Sequence, residues 1–522
     1  MIRAQRFHKS EIPNPKSQMN KMNLSKLKIT GDCHTDTATL EKFSHDMSAY
    51  RILPALVVEP RSEEDVLNTL QFARNEGLSI VPRSGGSDLS GASIGPGIVL
   101  NFKKHLNRLT VVGEETIVEP GMILAHLVNK LNEHHLMLPS IPSSSALCAL
   151  GGNVGTRATG PKTAKYGTLD DYVRSLRFIT AQGEVVDTSR GLPDYLKSGL
   201  HLIRQKYLAD KTSRQIVGAR PYIAGGYNLK ALERYSDIGE LAAHLLVGSI
   251  GTLGIVTEIR LKAIEQQPSK GTLVAHFRNY DEFTEASLRI KKLDPAALEY
   301  SDASCCRLVN GQILNLEDPD IAATLVAEFD DSSDKVRTGR EIIEAYDIAR
   351  LWEFEAGSPE ESALWQDRRR ILPSLLKYCR QNNLLLLPII DDIAIHVQDF
   401  GPVIQDLEAL MRRLNIEISF YGHAGFGSIH ARPYFDPASQ NLKEQVETVS
   451  LESFNILQKY KGTLVGEHNA GRSRSVYLEQ ELGPAFAYLR QIKHLFDPDD
   501  VLNPGTLFAT DPISTHMDFT VR

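Results

Sequence analysis

A glycine-rich loop that follows a strand, a helix and a second strand limits the fold of this chain more than any other feature. Residues 55–58 read as an apolar strand, and Ser62 followed by three acids predicts a capped helix that ends at Gly77. A second strand at residues 78–81 leads directly into residues 83–91, which read Arg-Ser-Gly-Gly-Ser-Asp-Leu-Ser-Gly. Paired glycines allow a backbone to approach a ligand closely and to aim successive N–H groups at a phosphate. The pattern predicts a phosphate-binding loop, with a plain turn as the alternative because neither common nucleotide fingerprint occurs in it.

The mixed pattern continues through the first half of the chain. A hairpin at residues 109–112 and 116–119 precedes an amphipathic helix that ends at His134. Residues 138–160 are rich in Ser, Pro and Gly and are too long for a simple turn, so we expect a functional loop there. Residues 190–230 are polar and are expected to form an irregular segment that extends from the first domain.

A polar stretch at residues 263–271 marks a boundary between two domains. Beyond it the pattern predicts helices at residues 280–291, 318–329 and 398–414, and strands at residues 273–277, 384–390 and 417–421. Such a mixture indicates a second domain of the α+β class.

Composition excludes several classes of protein. The chain has 522 residues, of which 42% are hydrophobic and 24% charged, which suits more than one globular core. Its 58 Lys and Arg against 65 Asp and Glu give a charge of −7, so no nucleic acid is expected as a partner. The five cysteines form no CxxC pair, which indicates free thiols in a reducing compartment. A membrane-spanning helix needs roughly 18 to 20 consecutive apolar residues. No apolar run in the chain is this long, so no transmembrane segment is expected.

The first 28 residues carry seven Lys or Arg and one acid, Glu11. They lack the apolar segment of a secretory signal, so we expect a disordered basic tail at residues 1–28. An organelle transit peptide is the alternative, and a misplaced start before Met19 or Met22 is another. The expected location is the cytoplasm, including the periphery of a membrane, or an organelle matrix if the tail is a transit peptide.

Glycine-flanked histidines mark the C-terminal third. Residues 421–433 read Tyr-Gly-His-Ala-Gly-Phe-Gly-Ser-Ile-His-Ala-Arg-Pro, and residues 466–472 read Gly-Glu-His-Asn-Ala-Gly-Arg. Two histidines seven residues apart and a carboxylate supply three N or O ligands, the set of a divalent-metal site with an open position. A lone histidine would more often be a packing residue, and that alternative remains for each of them.

Two further segments complete an ordered set of motifs. Residues 142–144 read Pro-Ser-Ser, residues 151–155 read Gly-Gly-Asn-Val-Gly, and residues 246–258 contain Gly-Ser-Ile-Gly-Thr-Leu-Gly. In this order the motifs resemble the FAD-linked oxidoreductases of the vanillyl-alcohol oxidase and p-cresol methylhydroxylase superfamily. More narrowly, the chain is similar to the branch of D-lactate dehydrogenases, the flavin subunit of glycolate oxidase and D-2-hydroxyglutarate dehydrogenases. The resemblance covers roughly residues 50 to 508.

The resemblance implies a fold and a cofactor. The fold class is α+β, with a two-subdomain FAD-binding domain of the p-cresol methylhydroxylase type, an α+β cap for the substrate, and a C-terminal segment that returns to the flavin. The implied boundaries are residues 29–265, 266–455 and 456–522. The implied FAD-binding residues are Arg83, Ser84, Gly85, Gly86, Ser87, Asp88, Pro142, Ser144, Gly151, Gly152, Asn153, Thr156, Gly254, Ile255 and Asn503. Some relatives attach FAD through a histidine where this chain has Ser87, so the FAD is expected to be noncovalent.

The resemblance also implies a reaction. His423, His430 and Glu467 correspond to the ligands of a divalent metal, Zn or Mn, and His468 to the base that takes the proton of a substrate hydroxyl. Arg432 and Arg368 are expected to bind the substrate carboxylate, since a guanidinium matches two carboxylate oxygens. Arg432 lies two residues after His430, so a strand would direct both side chains to one face. The alternative for Arg368, within an Arg triplet, is a solvated helix face.

Several positions depart from the family pattern. The family usually has Asp and Asn where this chain has Phe426 and Ser428, Glu where it has Ile250, Asp where it has Ile141, and Gly where it has Asn469. These changes predict a more hydrophobic substrate pocket, with a drift in substrate or activity as the alternative. The hydroxyglutarate enzymes bind the distal carboxylate with a lysine where this chain has Ile390, so a dicarboxylate substrate is less favoured.

Three hypotheses follow from the resemblance. The first is an FAD-dependent dehydrogenase of a D-lactate-like D-2-hydroxyacid, which passes electrons to a quinone, a cytochrome or a separate iron-sulfur protein. The second is a non-catalytic flavin-fold subunit of a glycolate-oxidase-like complex. The third is alkyl-dihydroxyacetone-phosphate-synthase-like chemistry. Whether the chain is a monomer or a homodimer is left open.

Overall fold

The computed structural model describes residues 22–221, 225–316, 318 and 320–521. The part of the expected tail at residues 1–21 lies outside the described residues. Of the remainder, Leu24–Lys26 form a 3-10 helix, and Met22 and Leu27 pack against a hydrophobic core.

A four-stranded sheet carries the glycine-rich loop. Its strands are β1 (Asp32–His34), β2 (Leu56–Glu59), β3 (Ile80–Arg83) and β4 (Ile98–Asn101), in the order β1-β2-β4-β3. Strands β2, β4 and β3 run parallel, and helices α1 (Thr37–Phe43) and α2 (Glu63–Glu76) accompany them. The Ser62 hydroxyl accepts the backbone N–H of Asp65, and Gly77 ends α2 in the left-handed region at φ 67°. This start and stop confirm the capping prediction.

A second, antiparallel sheet of five strands follows. It consists of β5 (Leu109–Val112), β6 (Glu115–Val118), β8 (Val173–Ile179), β9 (Val185–Asp187) and β10 (Ile255–Lys262), in the order β5-β6-β10-β8-β9. The short strands β7 (Leu136–Met137) and β11 (Ile264–Glu265) pair separately. The helices of this region are α3 (Leu124–Asn132), α4 (Leu150–Thr156), α5 (Thr163–Tyr166), α6 (Asp194–Ala209), α7 (Lys211–Ala219), α8 (Ala231–Arg234) and α9 (Ile238–Leu246), with a 3-10 turn at Leu169–Tyr172.

The third sheet has eight strands and a core of its own. Its strands are β12 (Gly271–Phe277), β13 (Ala297–Asp302), β14 (Ala323–Phe329), β15 (Ile348–Phe354), β16 (Leu385–Leu386), β17 (Asp391–Ala394), β18 (Glu417–His423) and β19 (Ser428–Phe435). The order is β15-β12-β14-β13-β18-β19-β16, and β17 also pairs with β19. The helices are α10 (Tyr280–Lys291), α11 (Ala303–Val309), α12 (Ser333–Ile343), α13 (Pro359–Gln381), α14 (Phe400–Leu414) and α15 (Leu442–Lys459), with a 3-10 turn at Val397–Asp399.

The C-terminal segment returns to the first sheet. It contains α16 (Gly471–Arg474), α17 (Leu478–Leu482) and α18 (Phe486–Phe496), with 3-10 turns at Ser475–Tyr477 and Gly483–Ala485. Leu502 forms a parallel bridge with Ile80 of β3, and the Asn503 side chain donates to the carbonyls of Ala92 and Ile250. The segment therefore fixes loops on the side of the sheet where the glycine-rich loop begins.

Three expectations about local structure are wrong. Residues 318–329 do not form a helix: their described part contains β14, whose seven residues are all buried, and a buried strand shows no alternation in sequence. Residues 190–230 are not irregular, because α6 and α7 occupy most of them. The loop expected at residues 138–160 contains α4.

Within the described residues, no helix combines the length and the apolar character needed to cross a membrane. All five cysteines are free thiols, as expected.

Candidate active site

A single cavity brings together loops of the first two sheets and side chains of the third sheet. Its walls include residues 82–89, 142–144, 151–156 and 249–251. From the third sheet and α13 it receives Arg368, Arg369, Leu372, Tyr421, His423, His430 and Arg432, and from the segment after α15 it receives Glu467 and His468. Segments from distant parts of the sequence thus face one space.

The glycines of the expected cofactor loops allow close backbone contacts. A Cβ on Gly85 would lie 2.8 Å from the backbone nitrogen of Ala149, and a Cβ on Gly151 would lie 2.6 Å from the Ser84 hydroxyl. Gly86 has φ 70°. Gly152 differs, because a Cβ there would meet nothing within 4 Å. It lines the cavity and leaves room for a cofactor to lie against the backbone, as FAD requires.

Of the fifteen residues expected to bind FAD, thirteen line this cavity. They are Arg83, Ser84, Gly85, Gly86, Ser87, Asp88, Pro142, Ser144, Gly151, Gly152, Asn153, Thr156 and Gly254. Ile255 lies instead in the core beneath the first sheet, with no exposed surface. Asn503 is 1% exposed and holds the surrounding loops rather than lining the cavity.

The arginine of the glycine-rich loop has a structural role. The Arg83 guanidinium lies over the ring of Phe43 and donates to the carbonyls of His45 and Ser93. Asp88 is partly buried and lies near Asp46, and desolvation and this neighbouring charge raise the pKa of the Asp88 carboxyl to about 6. Its oxygens accept the backbone N–H groups of Ser90 and Ala92, which shapes the loop.

Two histidines and a glutamate converge at the third sheet's end of the cavity. His423 ends β18 and His430 lies on β19, so the antiparallel pair carries both rings. The Nε2 atoms of His423 and His430 lie 3.7 and 2.9 Å from Oε1 of Glu467. The three residues are buried, and their ligand atoms lie within 4.8 Å of one another. The donor set and its closeness fit a divalent metal with an open position.

The other nitrogen of each histidine faces a carboxylate. Nδ1 of His423 lies 2.6 Å from Glu299, and Nδ1 of His430 lies 3.2 Å from Asp391. Carboxylates in this position orient metal-binding histidines and direct their Nε2 atoms at the ion. Glu299 and Asp391 are both completely buried.

The same two carboxylates bind the two arginines expected to hold a substrate. Arg368 lies 2.6 Å from Glu299, and Arg432 lies 2.9 Å from Asp391. Both guanidinium groups lie over the ring of Tyr421, at 5.2 and 5.9 Å from its centre. Two similar sets of contacts therefore link a histidine to a carboxylate and that carboxylate to an arginine. Both arginines lie on the wall of the cavity.

The segment after α15 supplies the remaining polar groups. Asp392 accepts the backbone N–H groups of Glu467 and His468 at 2.6 and 2.8 Å, which fixes both side chains toward the cavity. Glu467 also accepts the hydroxyl of Thr159. The His468 ring stacks on His430 at 5.4 Å, with its Nε2 3.8 Å from Glu467.

Burial and neighbouring charges shift the pKa values of Glu467 and His468 in this cluster. Burial raises the pKa of the Glu467 carboxyl, but His423 and His430 outweigh it and the net shift is well below the usual range. Burial, opposed by Glu467 and Asp391, lowers the pKa of His468 to about 4. The His468 imidazole is therefore neutral near pH 7 and able to accept a proton.

Sequence reasoning assigned no role to several residues that shape the site. They are Glu299, Asp391, Asp392, Tyr421 and Thr159. The pair Asp391 and Asp392 carried a signal, because two acids directly follow a long apolar run and buried acids are rare without a partner.

The positions that depart from the family pattern have visible roles. Asn469 has φ 64°, and asparagine enters this left-handed region more readily than other residues except glycine. Phe426 stacks on His423, with ring centres 5.3 Å apart. Ile250 lines the cavity, whereas Ile390 is completely buried away from it.

Comparison with known families agrees with this geometry. Residues 54–189 match the FAD binding domain family, and residues 266–507 match the family described as FAD linked oxidases, C-terminal domain. The chain belongs to the FAD-linked oxidases. It is an FAD-linked oxidoreductase, and the two matched segments contain the glycine-rich loop and the histidine pair.

Curated relatives extend over most of the chain. The glycolate oxidase subunit GlcD of Bacillus subtilis is 28% identical over 90% of this chain and 92% of the relative. The D-2-hydroxyglutarate dehydrogenase of Escherichia coli is 28% identical over 94% of this chain, which spans only 51% of that relative. The mitochondrial D-lactate dehydrogenase (cytochrome) of Arabidopsis thaliana is 26% identical over 87% of this chain and 73% of the relative.

Solved structures share the fold. An alkyldihydroxyacetonephosphate synthase matches with a TM-score of 0.62 at 16% identity, over 96% of this chain and 87% of that one. A 4-ethylphenol oxidase from Gulosibacter chungangensis matches with a TM-score of 0.64 at 15% identity, over 94% and 96%. These likenesses confirm the predicted α+β fold, and the two family matches supply its division into FAD-binding and C-terminal domains.

Proposed function

We propose that the chain is an FAD-dependent dehydrogenase that oxidises a D-lactate-like D-2-hydroxyacid to the 2-oxoacid. The observation that carries this proposal is the convergence of His423, His430 and Glu467 beside two buried arginines, in the cavity of the expected FAD loops. The names of the curated relatives, which include D-lactate and D-2-hydroxyglutarate dehydrogenases, support the substrate class.

Arg368 and Arg432 bind the substrate carboxylate. Each pairs with one buried acid and also lines the cavity, so the N–H groups of the guanidinium that the acid does not use are available to a substrate carboxylate. The fork geometry of a guanidinium and its fixed position over Tyr421 orient the carboxylate.

A short, apolar substrate side chain suits the remaining walls. Leu372, Ile250 and Tyr421 line the cavity, and Ile390 stands where the hydroxyglutarate enzymes are expected to carry a lysine. A second carboxylate on the substrate would find no cation at Ile390, because this residue is buried in an apolar core.

His468 takes the proton of the 2-hydroxyl. Its ring is the most exposed of the three histidines, with 27% of the side chain accessible, and it faces the cavity in its neutral form. The backbone contacts to Asp392 hold it in place. General bases of this kind accelerate proton transfer by about 10²–10⁴-fold.

Two groups outside the chain complete the chemistry. FAD, held noncovalently by the loops around Gly85 and Gly152, supplies the acceptor for the hydride of the substrate C2. A divalent metal, Zn or Mn, held by His423, His430 and Glu467, supplies a Lewis acid for the hydroxyl oxygen. Electrons pass onward to a quinone, a cytochrome or a separate protein.

The base is tested with His468→Ala, and exposed His494→Ala on α18 serves as the matched control. Purified FAD-loaded proteins are mixed anaerobically with D-lactate, and the loss of the flavin's visible absorbance is followed by stopped flow. The His468 variant is expected to reduce its flavin about 10²–10⁴-fold more slowly, and the control at the unsubstituted rate. Equal rates in all three proteins would remove His468 from this role.

The metal is tested by dialysis against a chelator, followed by addition of zinc or manganese. We expect the reduction rate to fall on chelation and to return with one of the metals. Full activity in protein shown to be metal-free would remove His423, His430 and Glu467 from metal binding. A yellow protein that no hydroxyacid reduces would favour the non-catalytic subunit.

A further inference from the structure

A second cavity, of about 380 Å³, lies behind the metal-binding end of the first. Its lining combines α5, the segment before α8, the end of α10 and the turn between β18 and β19. The charged residues on its walls are Arg157, Lys230, Arg234, Lys291, Asp170 and Asp171. Its volume lies within the range of small-molecule sites.

The two acids of this cavity are already engaged. Asp170 lies 2.6 Å from His244 and accepts the side-chain amide of Asn228. Asp171 binds Arg234 at 2.8 Å and accepts the backbone N–H of Thr168. Arg234 therefore compensates the charge of Asp171, and both acids are held by groups other than the two lysines of the cavity.

Two lysines face the cavity without a partner. Among the described residues, neither the Lys230 nor the Lys291 ammonium has a hydrogen bond or an ion pair, and both side chains are exposed enough to reach a ligand. Burial of its surroundings, followed by the charge of Arg157, lowers the pKa of Lys230, and burial lowers the pKa of Lys291. An anion between the lysines would relieve both effects.

Arg157 is a further basic residue on the wall of the cavity, and its charge acts on Lys230. It is 6% exposed and adopts φ 56°, a left-handed conformation that is costly for a residue other than glycine, asparagine or aspartate. It directly follows α4, the helix whose glycines line the cofactor cavity. A buried basic group in a strained conformation marks a position that the surrounding structure holds in place.

The two cavities share a wall. Phe426 lines the second cavity, and its ring stacks on His423, which lines the first. Apolar residues such as Val217, Leu229 and Leu482 also line the second cavity. The space therefore offers both cations and apolar contacts to a ligand.

We propose that this second cavity binds a small organic anion with two or more negative charges, held by the ammonium groups of Lys230 and Lys291. The ligand's anionic groups are carboxylates or phosphates, and its carbon skeleton packs on the apolar residues of the lining. The site is separate from the substrate cavity, and this proposal does not depend on which hydroxyacid the enzyme oxidises.

Calorimetric titration of the FAD-loaded protein tests the site with two probes, citrate and inorganic phosphate. The variant Lys230→Gln/Lys291→Gln removes both free ammonium groups, and the control Lys197→Gln/Lys443→Gln removes two exposed lysines that line neither cavity. We expect one probe to bind the unsubstituted protein and the control equally, and to bind the first variant at least about tenfold more weakly. The tighter probe identifies carboxylate or phosphate as the preferred group.

Arg432→Lys separates the new site from the substrate cavity, because a probe bound there would lose affinity in this variant. Unchanged affinity in Arg432→Lys together with weaker binding in the double lysine variant supports the proposal. Binding that is lost in Arg432→Lys but kept in the lysine variant overturns it, as does a lack of binding of both probes to the unsubstituted protein. Each outcome is a binding affinity measured without catalysis, so it is independent of the proposed dehydrogenase activity.

Discussion

The substitution Glu299→Gln tests how the two sets of histidine–carboxylate–arginine contacts support the site. Glu299 is completely buried, with its oxygens 2.6 Å from Nδ1 of His423 and 2.6 Å from the Arg368 guanidinium. Burial alone would raise its pKa, but His423 and Arg368 outweigh burial and lower it, so this group is a carboxylate in the folded protein. Glutamine preserves the shape and removes the charge.

Two costs follow from the loss of this charge. Arg368, which is 5% exposed, keeps its charge without its partner, and breaking a buried pair in this way lowers the free energy of unfolding by about 3–5 kcal/mol. His423 loses the carboxylate that orients it, and removal of such a partner weakens metal binding or activity by about 10–100-fold. This factor corresponds to about 1.4–2.7 kcal/mol of binding free energy.

The matched control is Glu328→Gln. Glu328 is also a buried acid of the third sheet, 5% exposed, and it pairs with Lys162 at 2.7 Å, but it lines neither cavity. We expect both variants to lose stability in urea unfolding, and only Glu299→Gln to lose zinc affinity in a chelator competition and to reduce flavin more slowly. Unchanged zinc affinity and rate in Glu299→Gln would refute the role assigned to this carboxylate.

Three further predictions concern the cofactor loop, pH and the substrate. Gly85→Ala places a Cβ 2.8 Å from the nitrogen of Ala149, so we expect weaker FAD retention and lower stability by gel filtration and thermal unfolding, whereas Gly218→Ala, with open space around it, leaves both unchanged. Burial lowers the pKa of His276 to about 4 from 6.5, so the unfolded state binds the proton first as pH falls, and the free energy of unfolding drops by about 3 kcal/mol between pH 6.5 and 4. This loss should be absent from the pH dependence of His276→Gln in urea unfolding. Arg432→Lys removes a forked contact, and kcat/KM for the hydroxyacid is expected to fall by about tenfold or more in steady-state assays, with an unchanged value contradicting the carboxylate contact.

Local signals were the easiest to interpret from the sequence. Helix α2 is predicted well because its start at Ser62 and its stop at Gly77 depend on residues within the helix and next to it. Strand β14 is missed because it is buried on both faces, and an uninterrupted apolar run does not distinguish a strand from a helix.

The residues of the candidate site likewise fall into those with a local signal in the sequence and those without one. His423, His430 and His468 stand out in the sequence because glycines surround them. Glu299 and Asp391 do not, because their roles depend on strand pairing. Asp391 lies directly opposite His430 in the pairing of β17 with β19, and β13, which carries Glu299, pairs with β18, which carries His423. Such neighbours are set by the register of strands distant in sequence, so a single sequence does not reveal them.

Anaerobic titration of the FAD-loaded protein with D-lactate and with L-lactate tests the central claim most directly. The visible absorbance of the flavin reports reduction without any assumption about the electron acceptor. The structure and the proposed chemistry predict that D-lactate bleaches the flavin to completion and that L-lactate does not. A flavin that stays oxidised with both acids, in protein that contains FAD and zinc or manganese, would contradict the assignment as a dehydrogenase of D-lactate-like acids.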